Sequence, residues 1–224
     1  MKTNKYIEMT AELLNYLSAY NPQENPYLYQ LRETTDKLKY ARLRTPTEQV
    51  TFLIFLTQFL SPHKILEIGT FTGYTTLALA LATDEKTHIT TCDINNVFPS
   101  IGIPYWNAAN QHNKIELKIG SALKTLRNLL QQKKTFDLIY IDADKENTWQ
   151  YFQLCLEILS ERGLIIVDNT LRKGDVINRN SQNTQTQAMH EFNSLLTTWK
   201  NIHYCLLPFC DGITLISKRV SRPI

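Results

Sequence analysis

Two apolar runs in this chain end in side chains that can hold charge. "FDLIYIDADKENTW" places Asp142, Asp144 and Lys145 directly after six strand-like residues, and "GLIIVDNT" ends in Asp168 and Asn169. If the two runs are parallel neighbours, about 4.8 Å apart, then Asp142, Asp168 and Asn169 emerge on one edge of a sheet. Two carboxylates and a carboxamide, with no His or Cys nearby in sequence, are hard oxygen donors. They suit Mg²⁺ foremost, with Mn²⁺ or Ca²⁺ as alternatives, rather than zinc. Lys145 lies three residues after Asp142, so a helix starting there puts both on one face. A cation beside a lysine disfavours its charged form and readies it to act as a general base. Plainer roles compete: Asp and Asn as caps of the following segments, and Lys145 in a solvated ion pair with Asp144.

A second constellation lies earlier. "EIGTFTGYTT" carries Glu67, Gly69 and Gly73, and "HITTCD" ends in Asp93. Glycines at a strand-to-helix turn let a ligand approach backbone that a Cβ would block. A carboxylate ending the next strand can take ribose hydroxyls. Glu67 would repel a pyrophosphate but balance a cationic ligand, and the GxxxG spacing departs from GxGxxG. A nucleoside with a ribose and no diphosphate therefore fits better than a dinucleotide, the alternative being that Glu67 and Asp93 are solvated strand ends.

These residues need a scaffold that brings strand ends together. Five apolar runs, at 64–69, 88–93, 115–120, 136–142 and 163–168, are separated by amphipathic stretches long enough for crossover helices, the pattern of a parallel sheet covered on both faces. Two further runs, at 202–209 and 212–218, are separated only by Cys210 and Asp211, which predicts a tight hairpin and an antiparallel finish to the sheet. The spacing thus predicts an α/β, doubly wound, mostly parallel seven-stranded sheet with a C-terminal antiparallel hairpin. The polar stretch 172–187 reads as a mobile loop.

Composition bounds the function classes. The 224 residues suit one domain, 1–224, with 1–44 as its N-terminal helical segment. A net charge of +3, without a run of like charges, implies neither nucleic acid nor an anionic membrane as partner. No apolar segment approaches the roughly 20 residues of a bilayer span, and "MKTNKYIEMT" lacks the apolar core of a secretory leader. Cys92, Cys155, Cys205 and Cys210 contain no CxxC pair and lie mostly in apolar runs, so buried free thiols and a reducing, cytoplasmic setting are expected.

Taken in order, "TPTEQ", "LEIGTFTGYTT", "CDIN", "GSAL", "FDLIYIDADK", "GLIIVDNTLRKGDV" and "DGITL" resemble the cation-dependent class I O-methyltransferases with a Rossmann-like fold. This is the family of caffeoyl-CoA O-methyltransferase and its bacterial relatives, and the resemblance runs from about Thr45 to Lys218. It implies S-adenosylmethionine contacts at Thr45, Glu67, Gly69, Thr70, Thr75, Asp93, Ala122 and Asp144. Gly73 lies in the same turn, Ser121 stands beside Ala122 in the adenine segment, and Asp142 borders the cofactor. The resemblance also implies a divalent cation on Asp142, Asp168 and Asn169, with Lys145 as the catalytic lysine. The implied reaction is methyl transfer to a hydroxyl of a small catechol-like or phenolic acceptor, in an enzyme that is commonly a homodimer closed by N-terminal helices. Tyr27, Leu28 and Leu31 would be the apolar anchors, unless they pack within the chain. Two other readings are methylation of a hydroxylated tRNA uridine, against which the low net charge argues, and a non-catalytic adenosyl-ligand-binding protein. The chain departs from the pattern in three places. Lys173 stands where plant members carry an acceptor-contacting Asn, Cys210 replaces a hairpin glycine, and "NRNSQNTQTQ" lacks the basic and aromatic residues expected for a coenzyme A ester.

Overall fold

The computed structural model describes residues 7–219; residues 1–6, part of the segment read for a leader, and 220–224 lie outside it. Helices α1 (Ala11–Tyr20), α2 (Pro26–Asp36) and α3 (Thr47–Leu60) precede the first strand, β1 (Lys64–Ile68). Strand and helix then alternate through α4 (Tyr74–Leu81), β2 (His88–Asp93), α5 (Pro99–Ala108), β3 (Ile115–Ile119), α6 (Ala122–Gln131), β4 (Phe136–Ile141), α7 (Thr148–Ile158) and β5 (Leu159–Asp168). Helix α8 (Thr184–Leu196) leads into β6 (Ile202–Leu207) and β7 (Ile213–Lys218). The strand order is β3-β2-β1-β4-β5-β7-β6, with β7 antiparallel to both β5 and β6 and the other pairings parallel. This is the expected Rossmann-like sheet.

The central strands read as continuous apolar runs because both of their faces are covered. Alternate residues serve opposite cores. Leu66, Ile68, Ile139, Ile141, Ile165 and Val167 pack with Phe152, Cys155, Met189 and Phe192 from α7 and α8. On the other face, Ile65, Leu138, Tyr140 and Ile166 meet Leu53 of α3 and Leu79 of α4. Each such side chain contributes about 1.5–3 kcal/mol when fully buried. The register is therefore strongly fixed, since a one-residue slip would exchange the two faces. It also sets which residues leave the sheet at its carboxyl edge.

Four expectations need correction. The two-residue hairpin is a five-residue connection, 208–212, because β6 ends at Leu207 and β7 begins at Ile213; Cys210 and Gly212 take left-handed φ values of 51° and 87° within it. The loop expected over 172–187 is partly ordered: a 3₁₀ segment covers Arg172–Ile177, and α8 starts at Thr184 with Asn183 capping it through Thr186 N. Its weak apolar periodicity hid a helix whose buried residues are only Thr186, Met189, Phe192 and Leu196. Of the four free thiols, Cys92 and Cys155 are buried but Cys205 and Cys210 are exposed, one on the edge strand β6 and one in the connection after it. Leu28 and Leu31, proposed as interface anchors, pack instead within the chain against Tyr74, Leu77 and Trp106, while Tyr27 stays 38% exposed.

One glycine joins the fold to the site. Gly69 has φ +102°, and a Cβ there would lie 1.9 Å from the carbonyl oxygen of Asp142. The turn after β1 and the end of β4 are thus held in direct backbone contact. Gly69→Ala is expected to lower the unfolding free energy by on the order of 3 kcal/mol, through strain and overpacking together; urea denaturation followed by circular dichroism measures it.

Candidate active site

In open α/β sheets the carboxyl ends of the strands form a crevice where successive crossovers diverge. Here that point lies between β1, which continues to β2 on one side, and β4, which continues to β5 on the other. A cavity of about 1140 Å³ opens along this edge. Thr45, Gly69, Thr70, Thr75, Asp93, Ser121, Ala122, Asp142, Asp144, Lys145, Asp168 and Asn169 all line it. Residues from positions 45 to 169 therefore share one wall.

Glu67 and Gly73 stand apart. Gly73 faces the indole of Trp106, where a Cβ would meet a ring carbon at 2.2 Å, so its absent side chain makes room for packing. Glu67 is fully buried under the turn. Its Oε2 accepts hydrogen bonds from the Thr76 hydroxyl and from Thr91 Oγ1 at 2.5 Å, and Thr91 Oγ1 lies 2.6 Å from Thr70 Oγ1 on the cavity wall. Burial pushes the Glu67 carboxyl up to about 8 against the lowering effect of these hydroxyls, and the charges of Asp142 and Asp93 add to the rise. Glu67 thus reaches the cavity only through two threonines.

Beyond that turn, the part of the cavity between the ends of β2 and β4 carries oxygen groups held in place by neighbouring donors. Asp93 Oδ2 accepts the Phe71 amide at 2.9 Å, which fixes the carboxylate at the tip of β2. Thr45 Oγ1 and Thr75 Oγ1 lie 2.9 Å apart, joining the loop before α3 to the start of α4. Asp144 accepts from the Tyr151 hydroxyl at 2.6 Å. A polar ligand at this end meets side chains already oriented.

The β4–β5 end gathers acids. Asp168 is 1% exposed; its Oδ2 accepts from Tyr140 Oη at 2.6 Å and Gln49 Nε2 at 2.7 Å, and its Oδ1 accepts from the Asn169 amide. Burial raises the Asp168 carboxyl, the charge of Asp142 raises it further, and Lys145 opposes both. Burial also raises the Tyr140 phenol well above its ordinary range, and Asp168 adds to this, so Tyr140 remains a donor. Lys145, itself 7% exposed, places Nζ 2.9 Å from Asp142 Oδ1. The ion pair considered for Lys145 with Asp144 is made with Asp142 instead.

Asp142, Asp168 and Asn169 fit a hard divalent cation by donor type. Two acids line one corner of the cavity, Asp168 Oδ1 keeps a lone pair beyond its single donor, and a carboxamide stands beside them. The donor set remains narrow, since no group of three or more His, Cys, Asp or Glu side chains gathers for a metal among the described residues. The fit thus rests on the two carboxylates and the amide.

Comparison with known proteins decides what this edge belongs to. The O-methyltransferase family model matches residues 16–219. The chain belongs to this O-methyltransferase family. It is 34% identical over 208 residues to mouse catechol O-methyltransferase domain-containing protein 1, covering 92% of this chain and 79% of the relative. Identity to caffeoyl-CoA O-methyltransferase 2 of Populus trichocarpa is 36% over 203 residues, 87% of this chain and 82% of the relative. The O-methyltransferase of Bacillus cereus, solved in complex with SAH, superposes with a TM-score of 0.84 at 28% identity, over 92% of this chain and 97% of that one. The protein is an S-adenosylmethionine-dependent O-methyltransferase of the caffeoyl-CoA O-methyltransferase type.

Several residues that shape the site of this O-methyltransferase escaped the sequence reading. Gln49 lies in the quoted "TPTEQ", yet nothing in its spacing shows a bond to Asp168, 119 residues away. Tyr140 is hidden in a strand as one more apolar residue. Arg172, Gln185 and Cys210 reach the cavity from segments read as loop or turn.

The buried Glu67 gives a stability test. Its folded value near 8 lies above the ordinary 4.5, so the folded state holds the proton more tightly than the unfolded one. Its contribution is full below about pH 4.5 and is lost as pH rises towards 8, by up to about 1.4 kcal/mol per pH unit. Glu67→Gln, neutral throughout, is therefore expected to gain on the wild type between pH 5.5 and 8.5 in urea unfolding; a constant difference across that range would refute the assignment.

Proposed function

We propose that this O-methyltransferase is cation-dependent and methylates a hydroxyl of a small catechol-like acceptor. The observation that carries the reading is the corner where Asp142, Asp168 and Asn169 meet beside Lys145 on one cavity wall. Asp142, Asp168 and Asn169 would hold a divalent cation; when bound, it favours the ionised form of an acceptor hydroxyl, whose unperturbed pKa is about 10. Relatives bearing the names caffeoyl-CoA and catechol O-methyltransferase support a phenolic acceptor.

Within that reading, the chain's own groups divide the work by position. Asp93 and Asp144, each fixed by a donor from a neighbouring turn or helix, would hold the adenosyl cofactor at the β2–β4 end. Thr45, Thr70 and Thr75 would line its path, and Gly69 would let it approach the backbone. Lys145, once a bound cation disfavours its charged form, would receive the acceptor's proton at Nζ as the O–CH₃ bond forms and the S–CH₃ bond breaks. Gln49 and Tyr140 would keep the Asp168 carboxylate aimed. Alignment of oxygen with methyl carbon is the main demand of such a displacement, and these braces answer it.

A homodimer belongs to the same proposal. Phe55 and Phe59, one turn apart on α3, are 66% and 77% exposed, an apolar surface that a second copy would cover. A reducing, cytoplasmic setting is supported by the buried free thiols Cys92 and Cys155. Against a panel of catechols with S-adenosylmethionine, EDTA is expected to abolish transfer and added Mg²⁺ to restore it. Lys145→Ala is expected to lower kcat by about 10²–10⁴-fold, and Asp142→Ala to lose activity that added Mg²⁺ does not restore. Transfer that survives both the chelator and Asp142→Ala sinks the metal mechanism; transfer to tRNA but to no catechol sinks the acceptor.

A further inference from the structure

Arg172 is the feature of the cavity that the reaction leaves unexplained. Its Nη2 donates to Gln185 Oε1 at 3.1 Å, but its Nε is buried with no acceptor among the described residues. It takes part in none of the ion pairs found there. A guanidinium offers five donors and no acceptor, and burying one N–H of a charged group without a partner is unfavourable unless something else supplies it.

The backbone that carries Arg172 is bent on purpose-built supports. Asn169, Arg172 and Lys173 all have left-handed φ values, 57°, 48° and 55°, in the six residues ending at Gly174. Such conformations persist where surrounding contacts over-determine them, and they cluster at ligand sites. Here the contacts are specific. Thr170 N donates to Gly212 O, Leu171 N to Asp211 O, and Lys173 N to the Asp211 carboxylate. The five-residue connection between β6 and β7 therefore holds the turn that delivers Arg172 to the cavity wall.

Strand order fixes which end of the cavity this is. Asp93 ends β2, and Asp142, Asp168 and the β6–β7 connection follow in turn across the sheet. Arg172 lies beyond the Asp142–Asp168 corner, on the side away from Asp93. Under the proposed function, this is the acceptor's side of the cavity and not the nucleoside's.

We propose that Arg172, oriented by Gln185, is a specificity-determining residue that binds a carboxylate substituent on the acceptor. The preferred acceptor is accordingly a catechol bearing an acid group. A carboxylate that displaces the packing over Nε would accept from Nε and from the second hydrogen of Nη2, the side-on bidentate geometry that suits a guanidinium. Lys173, exposed and without an ion pair among the described residues, adds positive charge at the same rim. This inference rests on the acceptor reading above.

The test pairs 3,4-dihydroxybenzoate with its neutral isostere 3,4-dihydroxybenzamide. Wild-type enzyme is expected to prefer the acid in kcat/KM. In Arg172→Gln the ratio of acid to amide falls about 10- to 100-fold, with Arg172→Lys intermediate and thermal unfolding confirming that each variant is folded. An equal loss on both acceptors, or an unchanged ratio, overturns the role of Arg172. If neither compound is methylated, the acceptor reading itself fails. Calorimetric titration of 3,4-dihydroxybenzoate then still decides the inference, because binding must weaken in Arg172→Gln and binding equal to wild type overturns it.

Discussion

Asp142 and Asp168 stand at the ends of adjacent parallel strands, Asp168 buried and Asp142 half-buried, and their negative charges must be balanced there. Lys145 supplies one positive charge from three residues downstream of Asp142. Tyr140 and Gln49 supply neutral donors to Asp168 from the β4 interior and from α3. Donors of this kind stabilise a carboxylate, yet burial and Asp142 still raise the Asp168 carboxyl. A group held in that state gains most from a further cation, since each close opposite charge favours the ionised form. The arrangement of α3, β4 and β5 around the corner follows from keeping two acids close without letting either turn away.

The same constraint explains why the fold is tight at this edge. Gly69 lets the β1 turn touch the Asp142 carbonyl, and Asp142 N donates back to Ile68 O at 2.8 Å. The turn after β1 and the acidic corner are therefore joined by backbone rather than by flexible side chains. A site that must align an oxygen with a methyl carbon needs such stiffness, because small misplacements cost rate steeply. On the far side, the β6–β7 connection holds the strained turn after Asn169 by accepting from three of the turn's backbone N–H groups, at Gly212 O, Asp211 O and the Asp211 carboxylate. Both ends of the crevice are thus pinned to the sheet.

Much of this was legible in the residues alone. Apolar runs of strand length at regular spacing fixed the five parallel strands, because burial on both faces leaves little choice of residue. Asp93, Asp142 and Asp168 stood out because a charge ending an apolar run is costly without a role. Long-range partners were not legible. Gln49 and Tyr140 look like ordinary helix and strand residues, and only the packing of α3 over β4 brings them to Asp168. Glu67 shows the reverse: its type and place suggested ligand contact, and the residues alone gave no sign that it lies buried beneath Thr70 and Thr91 and meets the cavity wall through their hydroxyls. The hairpin length and α8 were missed where polar residues blur periodicity, and Arg172 was hidden because its turn has meaning only against Asp211.

The proposed mechanism requires that Asp142, Asp168 and Asn169 hold a divalent cation. Titration of the metal-free protein with Mn²⁺, followed by electron paramagnetic resonance of the free ion, tests it without any acceptor. One bound Mn²⁺ per chain, displaced by excess Mg²⁺ and lost in Asp142→Ala, is the result expected. Absence of binding, or binding unchanged in Asp142→Ala, would contradict the account.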